Sequence, residues 1–250
     1  MKRKSLLNLA NQIKAFSGSP LTLDIKDGVG ELMLYDFIDP YWGISADAVV
    51  KALAGQTLTK LVVRINSPGG DVFDGWAIYN YLKSRPYPVE TINDGAAASI
   101  ASIILMAGSK VRSSAHALIM IHDPWMMSMG NADQLRSDAG LLDKVASDLT
   151  AIYAEKSGMV AADVAALMAA ETWMSAEEAL AYKLIDEIVD TSAAPDAAVT
   201  AASALYNCDL PKKNEKPDDR PADSYDPPAD AAQTQSRARA KAISDLAAIQ

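Results

Sequence analysis

Histidine and cysteine are almost absent from this chain: two histidines, His116 and His122, and one cysteine, Cys208, in 250 residues. A single cysteine excludes an intrachain disulfide framework and fits the reducing environment of a cytoplasm. With two histidines and one distant thiol the sequence assembles no zinc site, and no metal or other cofactor is expected. Basic excess is missing as well. The formal net charge is −9, which leaves no cationic surplus to neutralise phosphates and argues against a nucleic-acid partner. Neither GxGxxG nor a Walker lysine occurs, so the glycines are not a phosphate-binding motif. No membrane-spanning run is expected: the uncharged stretch from Gly95 to Ser109 has only 15 residues, interrupted by Gly and Ser. The start "MKRKSLLNLANQIKAF" is basic, but Asn8, Asn11, Gln12 and Lys14 break its apolar stretch. It reads as an amphipathic helix (Leu6, Leu7, Leu9, Ile13, Phe16) and not as a secretory signal.

Half of the residues are hydrophobic, enough for one sizeable core with an appended tail. "PLTLDIKDGVGELMLYDF" holds two β-rich runs around the turn signal Asp27-Gly28. "YWGISADAVVKALAG" predicts a helix with Ser45 as N-cap and Gly55 at its end. "TKLVVRINSPGG" predicts a strand running into a Pro-Gly-Gly loop, and "DVFDGWAIYNYLKSR" a helix through Val72, Trp76, Tyr79 and Leu82. Downstream, "YPVETIND" reads as a strand, "GAAASIASIILMAGS" as a helix and "HALIMIHDP" as a strand. A long helix covers about 130–158, ending near Gly158. "SAEEALAYKLID" is a helix with Ser175 as N-cap and Glu178 at the capping-box position, before a last strand "EIVD". Alternating strands and helices predict an α/β fold with a parallel sheet. From about 191 the composition turns to Ala, Pro, Asp and Lys. The expected organisation is an amphipathic segment 1–19, a folded domain 20–190, a flexible linker 191–230 and a helix-prone tail 231–250.

The scarcity of histidine shortens the search for a general base. His122 ends the strand "ALIMIH", and the C-terminal ends of parallel strands face the crevice where α/β folds place their sites. His116 opens that strand and reads as a solvated loop residue. Either histidine also fits a purely structural role. Ser99 follows the strand "VETIND" near the start of a helix, among Gly95, Ala96, Ala97 and Ala98. Small neighbours give clearance for a substrate, and a helix N-terminus offers free N–H groups. The same features suit a small residue used for tight packing. A serine nucleophile needs a base within hydrogen-bond reach and donors for an oxyanion. The paired glycines of "SPGG" can turn N–H groups toward a ligand, as they can also make an ordinary turn.

Together, "INSPGGDVFDGWAIYNYL", "GAAASIAS", "ALIMIHDP" and "MSAEEALAYKLIDEIVD" resemble, in order and spacing, the signature blocks of the Clp protease proteolytic subunit family. The resemblance covers about 60 to 190. It implies the ClpP/crotonase-like fold of repeated β-β-α units and a serine endopeptidase; the Ala/Pro-rich composition beyond it predicts a disordered C-terminal tail. By the same resemblance Ser99 is the nucleophile and His122 the general base, while the glycines of "SPGG" (Gly69 and chiefly Gly70) and the Ile100 amide form the oxyanion hole. The family's aspartate falls on Glu171 of "ETWMSAEEA", one methylene longer, with Asp123 as the runner-up. The family also implies protein or peptide substrates, a ring-shaped homo-oligomer, commonly seven-fold and stacked in pairs, and an AAA+ unfoldase as partner. The helix at 130–158 would make the ring-to-ring contact through apolar positions such as Leu135, Leu141 and Leu142. The first 60 residues differ from the housekeeping subunit: "DFIDPYWGISADAVVKAL" looks like the Clp-type head maturation proteases of phages and prophages, which process capsid and scaffold proteins. Three other functions fit parts of the sequence. One is a crotonase-fold acyl-CoA enzyme that needs no Ser/His pair, and another a Ser–Lys protease using Lys110. The third is a catalytically silent scaffold.

Overall fold

The computed structural model describes residues 21–189. The predicted segment 1–19, linker 191–230 and tail 231–250 lie outside the described residues. β1 (Leu21–Lys26) and β2 (Val29–Leu34) form an antiparallel hairpin. Its two-residue turn has positive φ at both Asp27 (53°) and Gly28 (78°), the mirror-image turn that matches strand twist. α1 (Ala46–Leu53) starts at Ser45, whose side chain accepts from the Ala48 amide, as the sequence predicts. β3 (Lys60–Ser67) then pairs parallel with β2. α2 (Val72–Lys83) follows, capped by Asp71.

β4 (Val89–Ala98) is the hinge of the architecture. Its first half pairs with β5 (Lys110–Ser114), from Glu90↔Lys110 to Asn93↔Ser113. Its second half leaves β5 and pairs with β6 (Leu118–Ile121), from Ala96↔Leu118 to Ala98↔Met120. At this fork the buried Asn93 side chain donates to Ser113 Oγ of β5 (3.4 Å) and to the Leu118 carbonyl of β6 (2.9 Å). On the opposite edge the register with β3 shifts between Ile65↔Asn93 and Ser67↔Ala97. Asn66 fills that irregularity by accepting from the Ala96 amide (3.1 Å). The sheet therefore bends where the sequence reads Gly-Ala-Ala-Ala.

This corrects one expectation. The sequence predicts that helix begins at Gly95, yet β4 runs through Ala98 and α3 spans only Ile100–Leu105. Alanine favours helix intrinsically, but the ladders to β3 and β6 outweigh that preference. All six residues of α3 are buried, which explains why the run is uncharged. α2 packs on α3 so closely that a Cβ on Gly75 would lie 2.1 Å from Ile100 Cγ1.

α4 (Ala132–Ser157) begins with an Asn131–Gln134 capping box and stops at Gly158 in the left-handed region (φ 73°). Its buried residues, Val145, Leu149, Tyr153 and Ser157, all belong to its C-terminal half; Leu135 and Leu141 in the other half stay exposed. α5 (Ala161–Ala169) and the short β7 (Thr172–Met174), neither anticipated from the sequence, lead to α6 (Ala176–Ala181). The predicted Ser175–Glu178 capping box is present. β8 (Glu187–Val189) closes the edge beside β5. The resulting eight-stranded sheet runs β1-β2-β3-β4-β5-β8, with β6 on β4 and β7 antiparallel to β6.

Alternation along β3 separates the two faces. Leu61, Val63 and Ile65 join the hydrophobic core. On the other face Arg64 donates twice to Asp94 (2.8 and 2.6 Å), and the Tyr35 hydroxyl donates to the same carboxylate (2.6 Å). Among the described residues no helix is long and apolar enough to cross a membrane.

Candidate active site

The sheet bend brings three chain segments to one place: the end of β4, the end of β6 and the loop after β3. Ser99 is the residue between β4 and α3. Its amide donates to the Met120 carbonyl (2.9 Å), one step beyond the Ala98↔Met120 pair. Its backbone is turned to φ 55° and ψ −130°, a conformation that costs a non-glycine residue about 1–3 kcal/mol. The strand before it and the buried helix after it impose that turn, and the side chain is left half-buried. His122 directly follows β6, and its Nε2 lies 2.8 Å from Ser99 Oγ. Two side chains from neighbouring parallel strand ends thus meet at hydrogen-bond distance, 23 residues apart in sequence.

Gly69 lies against this turn. A Cβ there would come within 2.6 Å of the Ala98 carbonyl oxygen, 2.7 Å of Ser99 Cβ and 3.2 Å of the Ile100 nitrogen. With φ at 90° as well, the position needs glycine. Both main-chain groups of Gly69 are engaged: its amide donates to Ser67 Oγ (3.1 Å) and its carbonyl accepts from Ile38 (2.9 Å). Gly69 is therefore a spacer, and the amide predicted to bind an oxyanion there is already occupied. Gly70 is different. Its bridge to Ile38 uses the Gly69 carbonyl and the Asp71 amide (2.7 Å), so the N–H of Gly70 itself faces away from Ile38. Gly70 is exposed at φ 147°, and a Cβ would collide with the Ile38 carbonyl oxygen at 2.1 Å. Ile100 supplies the first amide of α3, a position without an intrahelical acceptor.

Glu171 occupies the turn between α5 and β7, with φ 49°. The β6–β7 register runs Ile119↔Met174, Met120↔Trp173, Ile121↔Thr172; one step further sets His122 against Glu171. The backbone thus offers Glu171 as the cross-strand neighbour of His122, but the positive φ turns the side chain aside. Its carboxylate is exposed and accepts from Trp173 Nε1 (3.4 Å), and among the described hydrogen bonds none joins it to His122. Asp123 is exposed, its amide bonded to the Met168 carbonyl (3.2 Å). His116 lies in an exposed turn before β6. Lys110 pairs with Glu187 and stands level with Glu90, nine residues before Ser99 on β4. At about 3.3 Å per residue that is roughly 30 Å from Ser99, too far for a Ser–Lys pair. Among the described residues no His/Cys/Asp/Glu cluster could hold a metal ion.

One contact was invisible in the sequence. Ser102 Oγ donates to the Ser99 carbonyl (2.5 Å) and lies 2.7 Å from the hydroxyl of Tyr153 on α4. Complete burial raises the Tyr153 pKa above its ordinary value, so the phenol stays protonated.

A mixed α/β sheet with a serine and a histidine meeting at adjacent strand ends defines the class of protein. The family follows from comparison with known proteins: residues 45–192 match the model of the Clp protease family. The chain is 39% identical over 129 residues to the ATP-dependent Clp protease proteolytic subunit of Bacteroides fragilis, covering 51% of this chain and 62% of that one. It is 34% identical over 155 residues to proteolytic subunit 1 of the ATP-dependent Clp protease of Protochlamydia amoebophila, covering 59% and 75%. Similarity to the Chlorella vulgaris proteolytic subunit is 39% over 137 residues, covering 52% and 67%. The chain belongs to the Clp protease family.

Proposed function

We propose that this chain is a serine endopeptidase in which Ser99 is the nucleophile and His122 the general base. The observation that carries this reading is the 2.8 Å contact between His122 Nε2 and Ser99 Oγ, made by a serine held in a strained turn. Ser99 Oγ attacks the scissile carbonyl carbon while its proton passes to His122 Nε2. The amides of Gly70 and Ile100 receive the oxyanion of the tetrahedral intermediate. Collapse breaks the C–N bond, and His122 returns the proton to the departing amine. Water, deprotonated by the same imidazole, then releases the acyl group from Ser99. Glu171 is the third member: rotation of its side chain away from Trp173 brings the carboxylate toward the far ring nitrogen, from the cross-strand position it already holds.

The working form is a ring-shaped homo-oligomer acting on protein or peptide substrates. Support comes from the exposed Leu135 and Leu141 on the unpacked half of α4. The likeness of "DFIDPYWGISADAVVKAL" to head maturation proteases points to capsid or scaffold proteins as substrates, and the Clp relatives to an ATPase partner. The test is labelling with a fluorophosphonate probe, read beside native mass, for wild type, Ser99→Ala and His122→Ala. Labelling of the wild type alone, at a mass several times 26.6 kDa, is expected. Labelling that survives in Ser99→Ala, or acyl-CoA turnover that tolerates it, would overturn the reading.

A further inference from the structure

Ser102 is fully buried as the third residue of α3, and Tyr153 is 2% exposed on α4. A serine hydroxyl has one proton, and the Ser99 carbonyl can only accept. Since Ser102 Oγ donates to that carbonyl (2.5 Å), the 2.7 Å contact with Tyr153 must run from the phenol to Ser102. The order is therefore Tyr153 O–H to Ser102 Oγ–H to Ser99 C=O. The Ser102 amide adds a second bond to the same carbonyl (3.0 Å), filling both of its lone-pair directions.

The Ser99 carbonyl shares one rigid plane with the Ile100 N–H, and in a trans peptide the two point in opposite directions. Pinning the carbonyl inward against Ser102 therefore aims the Ile100 amide outward, on the side where Gly69 approaches the Ile100 nitrogen. We infer that Tyr153 is a positioning residue, acting through Ser102 to hold the Ser99–Ile100 peptide plane and with it the oxyanion-binding amide. This inference rests on the serine-peptidase reading above.

The relay's effect is felt where negative charge develops, so it enters kcat and not ground-state binding. Tyr153→Phe, which removes one oxygen, is expected to lower kcat per titrated active site about three- to tenfold, the size of one neutral hydrogen bond, with KM changed less than about twofold. Affinity for a peptide boronate, whose tetrahedral adduct occupies the same hole, is expected to fall in parallel. Ser102→Ala is a second route to the same loss, and the double variant is expected to be no slower than Ser102→Ala alone, because the two hydroxyls act in series. A merely structural role would lower the melting temperature and leave kcat per titrated site and boronate affinity unchanged. That result with an active wild type overturns the relay and leaves the peptidase reading intact. A wild type that hydrolyses no peptide and takes no probe on Ser99 overturns both.

Discussion

The two halves of the proposed triad are held in different ways. Ser99 and His122 are placed by main-chain pairing: the Ser99 amide sits on the Met120 carbonyl, and His122 leaves the same strand at the next turn of the ladder. Their contact is made within a single chain because the sheet register leaves little freedom. Glu171 has the right register opposite His122, but it sits in a surface turn with positive φ, and its long side chain rests on Trp173. Ordering an exposed Glu side chain against His122 costs about 1–2 kcal/mol of rotamer entropy, and among the described hydrogen bonds the Glu171 carboxylate accepts only from Trp173. A site can thus be complete in its backbone and incomplete in one side chain.

Four changes would break or sharpen that contrast. The largest effect is expected from Ser99→Ala, a loss of about 10⁶-fold in kcat for a fluorogenic peptide. Glu171→Gln keeps the shape and removes the charge; stopped assays should show a drop of about 10⁴-fold, smaller than that from the serine. A Glu171→Gln enzyme as fast as wild type would remove Glu171 from the mechanism. Gly75→Ala tests the rigid half from behind, since its methyl would overlap Ile100 next to Ser99. It should lower stability by about 1–3 kcal/mol in urea melts. Trp173→Phe removes the indole N–H that competes for the Glu171 carboxylate. It should raise kcat by about twofold at most, the scale of one weak exposed contact.

The same contrast explains what the sequence revealed. Helix caps were legible because they depend on a few adjacent residues, as at Ser45, Ser175 with Glu178, and Gly158. His122 was legible as a candidate because it stands at the end of a strand whose composition announces it, and Ser99 because it lies among small residues near a helix start. The extension of β4 through Ala98 was not, since Gly-Ala-Ala-Ala favours no strand on its own and becomes one only between Ser67 and Leu118–Met120. The resemblance already points chiefly to Gly70, but that the Gly69 amide is taken up by Ser67 Oγ while the Gly70 amide faces away from Ile38 was not legible, because it depends on the bridge to Ile38. Ser102 and Tyr153 read as ordinary helix residues until α4 folds back over α3.

The central claim is that the Ser99 turn makes an activated nucleophile. Mass mapping of the fluorophosphonate adduct on the full wild-type chain tests it most directly. The account predicts one adduct, on the peptide containing Ser99, lost in His122→Ala. An adduct on another residue, or none on an intact assembled protein, would contradict it.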